Sequence, residues 1–211
     1  MSSSQIMGIL IFIKLLTNML PANACPQAEM EAIMKTLETQ RLLLRPFQEE
    51  DLEDFFEYAK HPEVGPNAGW PPHQSKDDSR KILTGFIEQQ EVWAVVLKES
   101  NKLIGSVGLH SDHLRSAPDV KMMGYVLSEE FWGKGIMTEA ARAAIRFAFE
   151  NLDIALLTIH HYSHNLRSRR VIEKCGFYYE GTLRRCSRIY DGSIHDLACY
   201  SMTRQEWLET L

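Results

Sequence analysis

Residues 131–139 read Phe131-Trp132-Gly133-Lys134-Gly135-Ile136-Met137-Thr138-Glu139. They follow an apolar run over 122–127, which predicts a strand, and they lead into an amphipathic pattern, which predicts a helix. Two glycines let the backbone approach a ligand closely, and the first turn of a helix has N–H groups without an intrahelical partner. Those donors and the helix dipole favour phosphate, so the stretch predicts an anion site. A plain tight turn with a helix cap would leave the same pattern.

The glycine spacing excludes the two best-known phosphate loops. The Gly-x-x-x-x-Gly-Lys-Ser/Thr spacing is missing, and so is the third glycine of a dinucleotide fingerprint. A nucleotide of another kind is therefore the predicted ligand.

A second motif lies about 30 residues further on, a distance that accommodates one helix and one strand between the two motifs. It reads Asn165-Leu166-Arg167-Ser168-Arg169-Arg170-Val171-Ile172-Glu173-Lys174-Cys175-Gly176-Phe177. Asn165 is placed to cap a short helix, and Gly176 to end it in the left-handed conformation. Ser168 then lies in the first turn, where a serine is also common for purely structural reasons.

The two motifs together resemble those of the GNAT superfamily of N-acetyltransferases, in the RimJ/RimL-like branch, and the resemblance covers roughly residues 36 to 205. It implies an acetyl-CoA site in which the glycine turn holds the pyrophosphate. Trp132 and Met137 depart from the family's usual residues. The long side chain of Met137 leaves room for a pyrophosphate only if it points into the core.

The resemblance also implies the roles of individual residues. Ser168 would be the catalytic donor to the departing thiolate, and Val126 and Leu127 would bind pantetheine through their backbone groups. The expected cofactor-binding residues are Val126, Leu127, Trp132, Gly133, Lys134, Gly135, Ile136, Met137, Thr138, Asn165, Ser168 and Arg170.

The acceptor side carries weaker signals. An amine must lose a proton before it attacks a thioester, yet no general base stands out, because Ser187 stands where the ribosomal-protein subgroup is expected to have a carboxylate. The candidates are Glu180, His110, His113, His73 and a chain of water molecules. The expected substrate-binding residues are Trp70, His73, His110 and Glu180, of which the first two lie in a mobile segment that would cover the acceptor.

Metal binding is not predicted. His160, His161 and His164 are close in sequence, but adjacent residues of a strand face opposite ways and no acidic residue lies nearby. Acetyl-CoA as co-substrate is the only small-molecule partner expected besides the amine.

Hydrophobic periodicity predicts an α+β fold, with a mixed, mostly antiparallel sheet of about seven strands and about four helices. Residues 61–74 hold four prolines and two glycines, which predicts an irregular segment. Ser75 and Asp78 form a capping-box pattern at the start of the second helix. On the helix after the glycine turn, the predicted water-facing residues are Glu139, Arg142, Arg146 and Glu150.

Length and composition favour one globular domain, residues 34–211, in a chain of 211 residues. The formal net charge of -5 gives no general attraction to nucleic acid. Four cysteines without a CxxC pair or metal spacing favour a reduced, cytoplasmic setting.

Residues 1–33 form an apolar extension with three open interpretations. Ile6 to Leu20 is too short to span a bilayer comfortably, so a signal or anchor is one alternative only. A helix packed on the domain or on a partner chain is the second, which would allow a homodimer. The third is an upstream segment outside the native domain, because Met34 resembles a natural start.

The sequence is compatible with two functions. The first is an N-acetyltransferase that transfers acetyl from acetyl-CoA to a primary amine, either a protein N-terminus or a small molecule, by direct attack. The second is an acetyl-CoA-binding module without catalysis, which acts as a sensor or partner-binding protein.

Overall fold

The computed structural model describes residues 34–211. The predictions for residues 1–33 lie outside this range.

One mixed sheet organises the described part of the chain. Its strands are β1 Leu37–Glu38, β2 Leu42–Pro46, β3 Val92–Leu97, β4 Lys102–Ser111, β5 Val120–Leu127, β6 Leu156–Tyr162, β7 Tyr178–Arg188 and β8 Ile194–Thr203. The spatial order is β1-β2-β3-β4-β5-β6-β8-β7. Only β5 and β6 pair in parallel, and the other neighbours are antiparallel. The α+β prediction is confirmed, with one strand more than expected, because two-residue β1 is too short to show a period.

The α-helices in the same range are α1 Leu52–Ala59, α2 Lys76–Gln89, α3 Ile136–Asn151, α4 Leu166–Lys174 and α5 Arg204–Leu208. The capping box predicted at Ser75 is confirmed, since Asp78 N–H donates to Ser75 Oγ at 3.2 Å. Five-residue α5 was not predicted, although Thr203 and Glu206 form a capping box at its start. The irregular segment 61–74 contains one 3₁₀ turn, Pro66–Ala68, because proline presets the backbone at the first helical position.

The helices cover the two faces of the sheet. Helices α1 and α2 enclose a core that contains Phe55, Leu83 and alternate β3 residues Val92, Ala94 and Val96. Helices α3 and α4 pack on the other face, against Trp93, Val95, Met123 and Ile159 among others. Strand β3 is therefore buried on both sides, which explains its uninterrupted apolar sequence.

The sheet opens between β5 and β6. The parallel pairing is limited to Val120 with Leu156, Lys121 with Leu157 and Met122 with Thr158. A bulge in β4 lies beside this opening, because the register passes from Gly105 opposite Val95 to Leu103 opposite Val96. A side chain at Gly105 would place its Cβ 2.4 Å from the Val126 carbonyl oxygen. Gly105 therefore lies both at a bulge and in close contact with the backbone of β5.

Candidate active site

A cleft of about 270 Å³ lies at the opening between β5 and β6. Its lining comes from the end of β5, the glycine turn, the first turns of α3 and α4 and the segment around Asn67: Val64, Asn67, Ala68, Tyr125, Val126, Leu127, Phe131, Trp132, Gly133, Gly135, Ile136, Met137, Thr138, Asn165, Arg167, Ser168, Arg170, Val171 and Lys174. All the predicted cofactor-binding residues except Lys134 are in this set. Tertiary structure thus joins the two sequence motifs in one cavity.

The glycine turn has the conformation that an anion site needs. Gly133 and Gly135 have φ values of +75° and +73°, a region that other residues rarely adopt. Gly135 is the N-cap residue of α3 and offers no side-chain cap, so the N–H groups of the first helical turn stay open to a ligand. The 16-residue α3 adds its dipole at this end.

Met137 points into the core. It is only 4% exposed and belongs to the core cluster on the α3 face, together with Ile136 at the same exposure. The crowding expected of a long side chain at this position therefore does not arise, and the backbone of the first helical turn remains accessible.

The glycine turn is held from the side of β2. The Arg41 guanidinium donates from Nε to Glu139 Oε2 at 2.7 Å and from Nη1 to the Lys134 carbonyl at 3.0 Å. Thr39 Oγ1 donates to Glu139 Oε1 at 2.6 Å. Glu139 is thus half-buried, and its prediction as a water-facing residue was wrong. Burial alone would raise the pKa of Glu139, but these hydrogen bonds to its charged form keep the pKa below its usual value.

A second cleft, of about 440 Å³, opens on the other side of the turn. It is lined by Gln40, Arg41, Gly135, Thr138, Glu139, Arg142 and Lys174. Gly135, Thr138 and Lys174 border both clefts, so an extended ligand could pass from one into the other. The second cleft is rich in cationic side chains, and within residues 34–211 the Lys174 ammonium has no hydrogen-bond or ion-pair partner.

Ser168 is fixed from two sides at the start of α4. Its N–H donates to Asn165 Oδ1 at 3.1 Å, which confirms the predicted cap. The Tyr125 hydroxyl lies 2.9 Å from Ser168 Oγ and 3.1 Å from the Ser168 carbonyl oxygen. Tyr125 was not predicted to be part of the site, because a tyrosine within an apolar strand usually belongs to the core. Burial raises the pKa of Tyr125 well above its ordinary value, so this side chain stays a neutral phenol.

The backbone of β5 faces the cleft at alternate residues. The Val126 carbonyl points toward β4, because it is the atom that a Cβ at Gly105 would meet, so it faces away from the opening and does not fit the pantetheine contact expected of Val126. Peptide groups alternate in direction along a strand, so those of Tyr125 and Leu127 face the opening. The Leu127 carbonyl accepts a hydrogen bond from Trp132 Nε1 at 2.9 Å. The Arg167 guanidinium lies 4.5 Å from the centre of the Trp132 ring.

The segment around Asn67 is packed over the α4 end of the cleft. The Asn67 carbonyl accepts a hydrogen bond from Asn165 Nδ2 at 3.1 Å. Gly69 has a φ of +90°, and a Cβ there would lie 2.2 Å from the Tyr162 hydroxyl oxygen. The positive φ and this close approach to β6 both favour glycine at position 69, which the sequence alone placed only in an irregular segment.

The four predicted substrate-binding residues are not brought together, and none lines either cleft. Trp70 and His73 pack against each other, with ring centres 5.1 Å apart, and His73 Nδ1 lies 2.7 Å from Ser79 Oγ. His110 Nδ1 lies 3.3 Å from Glu91 Oε2. Glu180 forms an ion pair with Arg115.

The residues that line the first cleft include no histidine, aspartate or glutamate. The imidazole of His113 instead packs edge-on to that of His160, with ring centres 5.6 Å apart. Burial lowers the pKa of His160 to about 4, so it is neutral at pH 7. The cleft as described thus offers hydroxyl and cationic groups but no side-chain base.

Residues 34–211 contain neither a cluster of metal ligands nor a membrane-spanning helix. No group of three or more His, Cys, Asp or Glu side chains could hold a metal ion there. In the same range, every helix is too short or too polar to cross a membrane.

A buried carboxylate ties the loop after β4 to β6. Asp112 accepts hydrogen bonds from Thr158 Oγ1 at 2.7 Å, from the Leu114 N–H at 2.8 Å and from Arg115 Nη1 at 3.0 Å. Burial alone would raise the pKa of Asp112, but these donors favour its charged form and leave the pKa below its usual value. A carboxyl group with a lowered folded-state pKa stabilises the fold above its unfolded pKa of about 3.9, and the effect is lost as the pH falls through the folded pKa.

We therefore expect Asp112→Asn to lower the free energy of unfolding at pH 7 by about 1–3 kcal/mol, because buried donors lose a charged acceptor. The difference from the wild type should shrink as the pH falls below the unfolded pKa of about 3.9 and should be lost once the pH is below the lowered folded-state pKa. Urea unfolding between pH 7 and pH 3 measures both effects. The control is Asp191→Asn, which changes an exposed carboxylate bonded to Ser193. A deficit that is the same at both pH values would contradict the assignment.

Comparisons with known proteins agree with this geometry. The family model described as "Acetyltransferase (GNAT) domain" matches residues 41–178. The protein "Uncharacterized N-acetyltransferase p20" of Bacillus licheniformis is 26% identical over 180 residues, 82% of this chain and 99% of that protein. "Putative ribosomal N-acetyltransferase YdaF" of Bacillus subtilis is 38% identical over 106 residues, 50% of this chain and 56% of that protein. A GNAT-family acetyltransferase structure from Bacillus anthracis has the same fold, with a TM-score of 0.75 at 23% identity, covering 82% of this chain and 100% of that one.

Proposed function

The chain belongs to the GNAT family of acetyltransferases, and from this premise we propose that it transfers the acetyl group of acetyl-CoA to a primary amine by direct attack on the thioester. The observation that carries the proposal is the meeting of both sequence motifs in one cleft at the opening between β5 and β6. An enzyme of the acyltransferase class is established by the family. The site residues, the acceptor and the mechanism are the proposed part.

The two clefts suggest how acetyl-CoA is held. The open N–H groups after Gly135 bind the pyrophosphate, and the Tyr125 backbone together with the Leu127 N–H binds pantetheine along the edge of β5. Ser168 then lies beside the thioester. The second cleft, with Arg41, Arg142 and Lys174, receives the phosphorylated ribose of the adenosine.

The chemistry follows from these positions. The amine nitrogen forms a bond to the carbonyl carbon, and the carbon–sulfur bond then breaks with its electron pair on sulfur. The Ser168 hydroxyl donates a hydrogen bond to that sulfur, whose thiol has an ordinary pKa of about 8.5. Since no side-chain base lines the cleft, water carries to bulk solvent both the proton that the ammonium loses before the attack and the proton that the nitrogen loses as the amide forms. A base among Glu180, His110, His113 and His73 would need such water as an intermediary.

For the acceptor, we propose a protein N-terminal amine or a small-molecule amine. The likeness to the ribosomal relative named above favours the protein N-terminus and agrees with the RimJ/RimL-like branch. Trp70, His73, His110 and Glu180 stay candidates for acceptor contacts outside the cleft. A homodimer and a cytoplasmic location also stay predictions.

The test is to incubate the protein with acetyl-CoA and a panel of N-terminal peptides and small amines, and to follow the release of free thiol. Release above the hydrolytic background with at least one acceptor is the expected result. Tight binding of acetyl-CoA in calorimetry without release for any acceptor would refute the proposed reaction and favour the non-catalytic binding module.

The second cleft leads to a prediction on cofactor recognition. We expect Lys174→Gln to raise the KM for acetyl-CoA about tenfold, because a charge-assisted hydrogen bond to phosphate contributes about 1.5–3 kcal/mol and this site is open to solvent. With 3′-dephospho-acetyl-CoA, the variant and the wild type should have the same KM. Arg169→Gln is the matched control, since Arg169 lies on the same helix, outside both clefts, and pairs with Glu173. An equal rise in KM with both cofactors would show that Lys174 does not contact the 3′-phosphate.

A further inference from the structure

Tyr125 is a half-buried tyrosine that lines the cleft, and the family resemblance assigns it no role. It lies on β5, and its hydroxyl reaches across to α4, 43 residues away in sequence, rather than into the core. Within residues 34–211 its hydroxyl contacts Ser168 twice, through Oγ at 2.9 Å and through the backbone carbonyl at 3.1 Å. The contact is therefore directed at the one side chain that the proposed function places next to the thioester sulfur.

A phenol has one proton, so the two contacts define two arrangements of the same heavy atoms. In the first, Tyr125 donates to the Ser168 carbonyl, and the Ser168 hydroxyl donates to the Tyr125 oxygen. The serine proton then points away from the cleft. In the second, Tyr125 donates to Ser168 Oγ, and the serine proton is free to point at a ligand. Rotation of two O–H bonds converts one into the other.

We propose that Tyr125 is a positioning residue for catalysis: it holds the Ser168 hydroxyl at the cleft and donates a hydrogen bond to Ser168 Oγ when Ser168 donates to the departing sulfur. This inference rests on the proposed role of Ser168. No proton leaves Tyr125 in this step. Both hydroxyl groups keep their protons, and the negative charge stays on sulfur until solvent protonates it.

The arrangement in which Tyr125 donates to Ser168 Oγ is favoured only during the reaction. A hydroxyl that accepts one hydrogen bond becomes a better donor, because chained hydrogen bonds polarise one another in a low-dielectric site. The gain is largest when the acceptor carries a full charge, as a thiolate does. Before the carbon–sulfur bond breaks, the sulfur is a weak acceptor, so the Ser168 hydroxyl keeps its hydrogen bond to the Tyr125 oxygen. The pair therefore acts on the transition state and not on binding.

The test is a double-mutant cycle with Tyr125→Phe and Ser168→Ala, measured with acetyl-CoA and the best acceptor of the panel. We expect Tyr125→Phe to lower kcat about tenfold and to leave the KM for acetyl-CoA within twofold. In the Ser168→Ala background, the same change should have no further effect on kcat, because the hydroxyl that Tyr125 serves is absent. A purely structural tyrosine would give the same loss in both backgrounds.

Controls separate the outcomes. Tyr58→Phe removes the hydroxyl of a tyrosine that is buried in the core on the α1 side, away from the cleft, and should leave kcat unchanged. 3-Fluorotyrosine at position 125 keeps the hydroxyl and should retain wild-type kcat, which guards against misfolding of Tyr125→Phe. Wild-type kcat in Tyr125→Phe, or additive losses in the cycle, would overturn the role of Tyr125 but leave the proposed function standing. An unchanged kcat in Ser168→Ala would overturn the proposed role of Ser168 as well, while absence of turnover in the wild type would refute the proposed function.

Discussion

Replacing Ser168 by alanine is expected to lower kcat by about 100-fold and to leave the KM for acetyl-CoA nearly unchanged. One hydrogen-bond donor aimed at the charge that develops in the transition state contributes about 10²–10³-fold to a rate, and a serine hydroxyl beside a thiolate belongs at the lower end of that range. Its contact with sulfur strengthens only as the carbon–sulfur bond breaks, so its loss affects the transition state rather than the bound cofactor. Steady-state kinetics over a range of acetyl-CoA concentrations separates kcat from KM.

The control for this prediction is Ser163→Ala, on the same connection between β6 and α4. Ser163 is exposed and contacts Asp196 rather than the cleft. It should retain wild-type kcat and KM. A loss in Ser168→Ala that appears in KM alone would identify Ser168 as a cofactor contact with no part in the chemical step.

The second large effect is expected on stability. Met137→Ala should lower the free energy of unfolding by about 2–5 kcal/mol, because truncating a buried methionine removes apolar contacts and leaves a cavity. Met137 is 4% exposed within the α3 core cluster. The acetyl-CoA affinity of the folded fraction should stay within about threefold of the wild type, since that side chain points away from the turn. Urea unfolding and calorimetric titration measure the two quantities on one sample.

Gly135→Val should show the reverse pattern. Its φ of +73° is costly for any residue with a Cβ and most of all for a β-branched one, so the turn must change shape. We expect acetyl-CoA affinity to fall more than tenfold, equivalent to about 1.4 kcal/mol, with a smaller change in stability. If Met137→Ala instead improved the affinity, its side chain would have to lie beside the pyrophosphate.

The local motifs were readable from sequence because they depend on neighbours in the chain. The strand before the glycine turn, the cap at Asn165 and the left-handed Gly176 all follow from residues within one helical turn of each other. The same is true of the capping box at Ser75. Elements too short to show a hydrophobic period, such as β1, were not predicted, because they lack such a local signal.

The direction of a single side chain could not be predicted from the sequence. A methionine in the first turn of a helix can face either the ligand or the core, and only the packing of α3 on the sheet assigns Met137 to the core. Glu139 shows the same limit, since its partners Thr39 and Arg41 lie about a hundred residues earlier in the chain. Periodicity predicts which face of a helix is polar but says nothing of what will cover it.

By itself, the sequence determined the α+β fold, the glycine turn and the pairing of two motifs that resemble a CoA site. Tertiary structure alone decided that β5 and β6 part after Met122, that Tyr125 contacts Ser168 and that Arg41 braces the turn. The physical reason is range. Backbone conformation and capping are set by contacts within a few residues, whereas the cleft is made by groups that lie 43 or 93 residues apart and meet only when the sheet has formed.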